Sequence, residues 1–186
     1  MSEEQQQPQL QMRFFGDRQR MPAPRVADGY RLRTFCAGDE AQFSEVMEKA
    51  GFGAWDAEKL RPWLANILPD GWFVIIEQGS GRLVATTMAL HHPNDQHPFG
   101  GEMGWVAADP AHGGNGLGLA VCAAATARLV QGGYHEIFLL TDDFRLPAIK
   151  TYLKLGWTPF LFREGMAERW QTVCAQLAWP YAPEEW

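Results

Sequence analysis

No run of apolar residues in this chain approaches the ~20 that a membrane-spanning helix needs, so no membrane partner is expected. The opening residues, MSEEQQQPQLQ, are acidic where a secretory signal is basic and then apolar, and a cytoplasmic location is the expectation. Positive charge is in short supply: 16 Lys and Arg face 22 Asp and Glu, a formal net charge of −6. A nucleic-acid partner asks for a basic face and is not expected, whereas a cationic amine would not be repelled. Cysteine is scarce too. Cys36, Cys122 and Cys174 are odd in number, widely spaced and without a C-x-x-C pair. That excludes a disulfide framework or a zinc ribbon and fits buried thiols in a reducing compartment. Cys122, among alanines on a long helical stretch, reads as a small core residue rather than a nucleophile. His91, His92 and His97 lack the spacing of a metal helix, so no metal is expected, and they read as surface loop residues or as the rim of an acceptor site. Internal repeats are absent.

What is present is apolar and aromatic. At 186 residues, 46% hydrophobic, with 11 Phe and 8 Trp, the chain is long enough for one domain with a proper core. Residues 1–25 are rich in Gln, Pro and Arg without a hydrophobic period, and read as a poorly ordered arm that Phe14 and Phe15 could anchor. The domain is expected over residues 26–186. Tyr30–Phe35 alternates as a strand. Asp39 is placed to cap a helix over Ala41–Ala50, and Asp56 to cap a segment carrying Leu60, Trp63, Leu64 and Ile67. Pro62 makes that segment one broken helix or two short ones. Trp72–Glu77 and Leu83–Leu90 read as strands joined by a Gly-Ser-Gly hairpin turn, and Met103–Ala108 as the next strand. A final helix is expected over Ala167–Ala178.

The stretch Gly104–Val130 carries the most chemistry. An apolar strand runs into Pro110, then a turn crowded by Gly113, Gly114, Gly116 and Gly118, then a long helix. Such a turn leaves backbone N–H groups unpaired at the positive end of a helix dipole, where glycine lets a ligand approach closely. The geometry suits a pyrophosphate; the same glycines taken alone also fit a plain flexible loop. A dinucleotide fold would need an acidic residue at a strand's end about 20 positions on, but Glu136 opens its strand instead. Only 68 residues follow Gly118, too few for a doubly wound sheet.

Gly132-Gly133 then ends the helix, Ile137–Leu140 forms a strand, and Thr141–Phe162 reads as a helix opened by Pro147 and closed by Gly156, followed by a strand over Trp157–Phe162. Taken together, ADPAHGGNGLG and AIKTYLKLGW resemble the two central motifs of the GNAT N-acetyltransferase superfamily. Ala108-x-Pro110 and Gly114-x-Gly116-x-Gly118 match the first; Ala148, Tyr152 and Leu155-Gly156-Trp157 match the second, in order and at the usual spacing. The arginine that usually opens the phosphate loop is Gly113 here, and the asparagine that usually opens the second motif is Arg145. A backbone cradle needs N–H groups rather than that side chain.

The resemblance implies an α/β (α+β) fold with a mixed, mostly antiparallel sheet whose central strands splay, flanked by helices. It implies an acetyl-CoA-dependent N-acetyltransferase acting on a small-molecule or protein amine as a monomer or homodimer; an acyl-CoA-binding sensor or scaffold is the alternative. On that resemblance Val106, Ala107 and Ala108 pair with the pantetheine arm. Gly113, Gly114, Asn115, Gly116, Leu117 and Gly118 cradle the phosphates, with Arg145, Ala148 and Tyr152 also on the cofactor. Tyr152 protonates the leaving thiolate or packs as a structural tyrosine. Glu102 is the general base or a solvated carboxylate. Asp142 and Asp143 attract a cationic acceptor or cap the next turn.

Overall fold

Leu83–His91 is buried at eight of its nine positions, which only a strand covered on both faces allows. It is the fourth of seven strands in the computed structural model, which describes residues 7–15 and 21–186. In chain order the elements are β1 (Leu10–Phe15), β2 (Tyr30–Thr34), α1 (Glu40–Lys49), α2 (Ala57–Leu64), β3 (Ile67–Glu77), β4 (Leu83–His91), β5 (Gly101–Ala108), α3 (Leu117–Gln131), β6 (Glu136–Thr141), α4 (Leu146–Lys154), β7 (Thr158–Pro159) and α5 (Met166–Leu177). Short 3-10 turns cover Pro110–His112 and Pro183–Glu185. The chain forms two compact units, a larger one over Phe14–Phe138 and a smaller one holding Leu139–Trp186 with residues 7–13.

In the larger unit β2, β3, β4 and β5 pair antiparallel in that order, and β5 then pairs parallel with the start of β6. The mixed, mostly antiparallel sheet is the one expected. α1 and α2 close one core. Phe43, Val46 and Met47 of α1 and Leu60 of α2 pack with Trp72, Val74 and Ile76 of β3 and with Met88 and Leu90 of β4. Phe43 sets its edge on Trp72 at 4.9 Å, and Phe35 stacks flat on Trp72 at 3.5 Å. The Trp72 indole donates to the Thr86 hydroxyl, which itself donates to the Phe73 carbonyl. A buried polar group on each of two strands is thereby satisfied. α3, rich in alanine and buried almost all round, packs on β3, β4 and β5. Its small side chains let the helix approach the sheet closely.

Two local readings change. Asp39 precedes α1 but its side chain makes no cap bond there. It accepts instead from both guanidinium nitrogens of Arg33, at 2.5 and 2.8 Å, and from the Cys36 N–H. A bidentate charged partner outcompetes a neutral amide for a carboxylate. Cys36 itself is exposed, whereas Cys122 and Cys174 are buried, and burial pushes the Cys122 thiol far above its ordinary range. Asp56 does cap α2, accepting from the Lys59 N–H, and Pro62 is accommodated inside that one short helix.

The smaller unit corrects the reading of the N-terminus. Leu10–Phe15, placed by composition in an unstructured arm, is a strand with Leu10 and Met12 fully buried. It pairs antiparallel with β7 at Met12↔Pro159 and Arg13↔Thr158. β7 spans two residues rather than Trp157–Phe162, and beyond it the Phe160 N–H still donates to the Gln11 carbonyl at 2.9 Å. The partners lie about 145 positions apart, so no local pattern announces their pairing. α4 and α5 pack together, and Arg169 of α5 binds the Asp143 carboxylate and the Pro8 carbonyl.

The half-buried Arg33–Asp39 pair yields a stability prediction. Arg33 holds the Asp39 carboxyl below its ordinary value of 3.8, so the folded state binds that proton less readily than the unfolded chain. Its contribution is present above that value and is lost as pH falls through the depressed native one. Asp39→Asn should lower unfolding free energy by about 1.5–3 kcal/mol near neutrality, the scale of a hydrogen bond to a charged group. In urea titrations the gap to wild type should narrow as pH drops below 3.8.

Candidate active site

β5 is irregular where it matters. Against β4, Thr86 pairs with Ala107 and Met88 with Gly104, two positions on one strand against three on the other. The extra residue is a β-bulge, which bends a strand and re-aims its side chains. Trp105 lies in it at φ 54, a left-handed conformation that costs a bulky residue about 1–3 kcal/mol. The parallel pairing of β5 with β6 comprises Gly101↔Ile137 and Glu102↔Phe138.

The strained tryptophan is held by aromatic neighbours. Its ring meets Trp55 at 4.4 Å, Trp63 at 4.9 Å and Phe52 at 5.7 Å, all edge-on. The segment Phe52–Trp72, aromatic but mute as sequence, therefore packs against the bulge. Trp63 also meets the His92 ring at 5.3 Å. The buried indole N–H groups of Trp55 and Trp105 have no hydrogen-bond partner among the described residues.

Glu102, the second residue of β5, is 6% exposed rather than a solvated strand-end carboxylate. Burial pushes its carboxyl above the usual range, and the hydrogen bond and charge of His92 pull it back. The His92 ring Nδ1 bonds Oε2 of that carboxylate. Gly104, two residues on, packs closely against both that carboxylate and Leu90: a Cβ there would come within 3.4 Å of Oε1 and 2.9 Å of Leu90. The sequence reading took the three histidines as surface loop residues or as the rim of an acceptor site, and the structure separates them. His91 bonds the Tyr134 hydroxyl at 2.7 Å, His92 holds Glu102, and His97 is buried, stacked on Phe138 and bonded to Glu136. A cavity of about 500 Å³ near His97, lined also by Phe99, Tyr134 and Glu136, lies where β5 begins, at the opposite end of that strand from the glycine turn.

That turn follows β5 directly. Asp109 accepts from the Ala111 N–H and from Lys49 of α1 at 2.6 Å, fixing the point where strand becomes loop. Tyr30 bonds His112, and the Asn115 amide donates to the His112 carbonyl, so the loop is tied down along its length. Gly114 and Gly116 have φ of 84 and 68, and Gly116 is the N-cap of α3. The first bond inside that helix runs from the Ala120 N–H to the Gly116 carbonyl. The amides of Leu117, Gly118 and Leu119, one turn earlier, have no helical acceptor. Cβ atoms built on Gly114, Gly116 and Gly118 would meet nothing within 4 Å, so the cradle opens onto free space. Gly113 differs: its φ of −58 suits any residue, and its Cβ would sit 3.1 Å from the Pro110 carbonyl.

In the smaller unit, Tyr152 is buried on α4, its ring 6.4 Å from that of Trp157. Arg145 is the N-cap residue of α4, and Ala148 donates its N–H to the Arg145 carbonyl. The Arg145 guanidinium binds Asp142, which also accepts from Gln9, while Asp143 binds Arg169. Both carboxylates are thus engaged by side chains rather than capping α4.

The sequence profile of the Acetyltransferase (GNAT) family matches residues 40–157. The chain belongs to that family. Among its relatives, the mycothiol acetyltransferase of Saccharomonospora viridis is 31% identical over 151 residues, covering 75% of this chain and 49% of that protein. The mycothiol acetyltransferase of Thermomonospora curvata is 32% identical over 157 residues, covering 81% and 52%. This GNAT chain therefore spans about half the length of those relatives. Of solved structures, the GCN5-related N-acetyltransferase of Sphaerobacter thermophilus superposes with a TM-score of 0.64 at 24% identity, over 83% of this chain and 50% of that one. Glucosamine-6-phosphate N-acetyltransferase from Arabidopsis thaliana gives 0.56 at 17%, over 73% and 96%. At those identities the likeness is one of fold. Among the described residues no helix is long and apolar enough to cross a membrane.

Sequence reasoning missed Trp105, His92 and the Lys49–Asp109 pair. Trp105 stood inside the recognised strand, but a bulge has no sequence mark except glycine, and none sits at that position. Lys49 meets Asp109 across 60 positions, and His92 reaches Glu102, ten positions on, only through the β4–β5 register.

The loop's backbone makes a two-sided prediction. Gly116→Ala puts a side chain at φ 68 and should cost about 1–2 kcal/mol. Gly113→Arg, at an ordinary φ but with its Cβ 3.1 Å from the Pro110 carbonyl, should cost less than Gly116→Ala. Urea midpoints of the two variants compare them directly.

Proposed function

We propose that this chain transfers an acetyl group from acetyl-CoA to a primary amine by direct attack. The observation that carries the reading is one strand, β5, holding a buried carboxylate at its start, a bulge in its middle and an open glycine cradle at its end. The cradle suits a pyrophosphate: its amides at the start of α3 point at no protein acceptor, and its glycines leave the approach clear. Acetyl-CoA would supply an acetyl group activated as a thioester.

The chain's own groups then have assigned tasks. Gly113 to Gly118, including Asn115 and Leu117, hold the phosphates through backbone N–H groups. Val106, Ala107 and Ala108 offer strand backbone to the pantetheine amides. Glu102 accepts a proton as the acceptor nitrogen forms its bond to the acyl carbon. Tyr152, by its place in the second motif, donates a proton to sulfur as the carbon–sulfur bond breaks, and Arg145 and Ala148 belong to the same cofactor-binding motif. Glu102 must be ionised for its task, and His92 opposes the burial that would protonate it. A cytoplasmic location fits this chemistry. The mycothiol acetyltransferases among its relatives make a mycothiol-related amine the first acceptor to test.

Two measurements test the reading. Thermal melts with acetyl-CoA at about 100 times its dissociation constant should gain roughly 2.7 kcal/mol of stability. A thiol-release assay against an amine panel should then find turnover, which Tyr152→Phe lowers about 10²-fold at nearly unchanged cofactor affinity. Binding without release toward any amine would instead identify a non-catalytic acyl-CoA-binding protein. Neither binding nor release would overturn both.

A further inference from the structure

Glu102 has one hydrogen-bonding partner among the described residues, and it is His92. The carboxylate is therefore divided. Oε2 is occupied by the imidazole, and Oε1 has no partner among the described residues and lies against the backbone of Gly104, where a Cβ would stand 3.4 Å from it. His92 comes from the residue just after β4, so it reaches Glu102 across the β4–β5 register, in which Leu90 faces Glu102. Its side chain is 40% exposed while that of Glu102 is 8% exposed, so the imidazole links a buried carboxylate to solvent. The far side of the ring rests on Trp63, which touches the bulge residue Trp105.

We propose that His92 is the positioning residue for the general base. It fixes the Glu102 carboxylate through Oε2 and leaves Oε1, which has no partner among the described residues, to take the proton of the acceptor amine. This rests on the acyl-transfer reading above and names the device that makes Glu102 usable as a base. The proton balance is simple: the amine loses one proton, Oε1 gains it, and the Nδ1–H of His92 stays on nitrogen throughout.

The other charged groups around β5 are committed elsewhere. On β4, His91 bonds Tyr134. On the loop and β6, His97 bonds Glu136. From the helices packed on β5, Lys49 of α1 binds Asp109, and Arg128 of α3 donates to the Pro69 carbonyl. His92 is the side chain that opposes the effect of burial on the Glu102 carboxyl, which burial raises above its ordinary range.

The test reads the carboxyl itself and then the reaction. In protein labelled with carboxyl-¹³C glutamate, Glu102 is assigned by the signal lost in Glu102→Gln and titrated in the free protein. His92→Ala should raise its midpoint by about one pH unit or more, the scale of losing a hydrogen bond to a charged group. His92→Asn, whose amide N–H stands where Nδ1–H stood, should stay nearer wild type. With an acceptor in hand, the acid limb of kcat/KM should move to higher pH by the same amount in His92→Ala. Acetyl-CoA should still raise the melting temperature of that variant as it does for wild type. An unmoved Glu102 midpoint overturns the proposal. So does a moved midpoint with an acid limb that stays in place, because the base would then not be governed by His92. If the midpoint moves but wild type acetylates no amine, the acyl-transfer reading is what fails, and the control of Glu102 by His92 stands.

Discussion

The bulge in β5 is the constraint on which the rest of the site depends. A regular strand would alternate its side chains along its whole length and keep one flat edge. Inserting one residue opposite Thr86–Met88 breaks that alternation after Gly104 and puts Trp105 into a backbone conformation it would not choose. The strain persists because the surroundings over-determine it: Phe52, Trp55 and Trp63 meet the indole from three sides. Those residues come from α2 and the segment before it, so the helical layer on that face holds the bulge as well as closing the core. Two buried indole N–H groups without partners add a further cost there. Cost concentrated on one strand, with Glu102 on one side of it and the glycine cradle on the other, is how a functional site differs from a core.

The electrostatics separate into structural and chemical carboxylates. Asp39 with Arg33 and Asp109 with Lys49 are each held below the ordinary range by a cation and by backbone N–H donors. Both pin a junction: one the approach to α1, the other the exit from β5. Glu102 runs the other way, raised by burial and opposed only by an imidazole. A carboxyl poised by two opposing influences responds to a small change in either. That is the property proton transfer needs and a structural ion pair avoids.

Much of the fold was legible because its elements carry their own signals. The amphipathic stripe of α1, the Asp56 cap of α2, the hairpin between β3 and β4, and the Pro110-to-Gly118 turn are local patterns, and each appears within a few residues of its expected place. β7 was legible as a strand, though a longer one, but β1 was not, since its partner lies about 145 positions away and its own stretch shows no hydrophobic period. Asp39 was misread for a related reason: the local rule saw a helix start, and Arg33 on a neighbouring strand offered a stronger partner.

The sequence by itself determined the glycine cradle, the strand before it, the helix after it and the family to which they belong. Those follow from backbone preferences of Gly and Pro and from apolar spacing, which act over a few residues. Only the tertiary structure decided that Glu102 is buried, that His92 alone of three neighbouring histidines holds it, and that Trp105 sits strained in a bulge among Phe52, Trp55 and Trp63. Burial, strain and ion pairing depend on which distant segments meet, and the pairing of β4 with β5 brings His92 to Glu102 through strand register, which no short stretch of sequence contains.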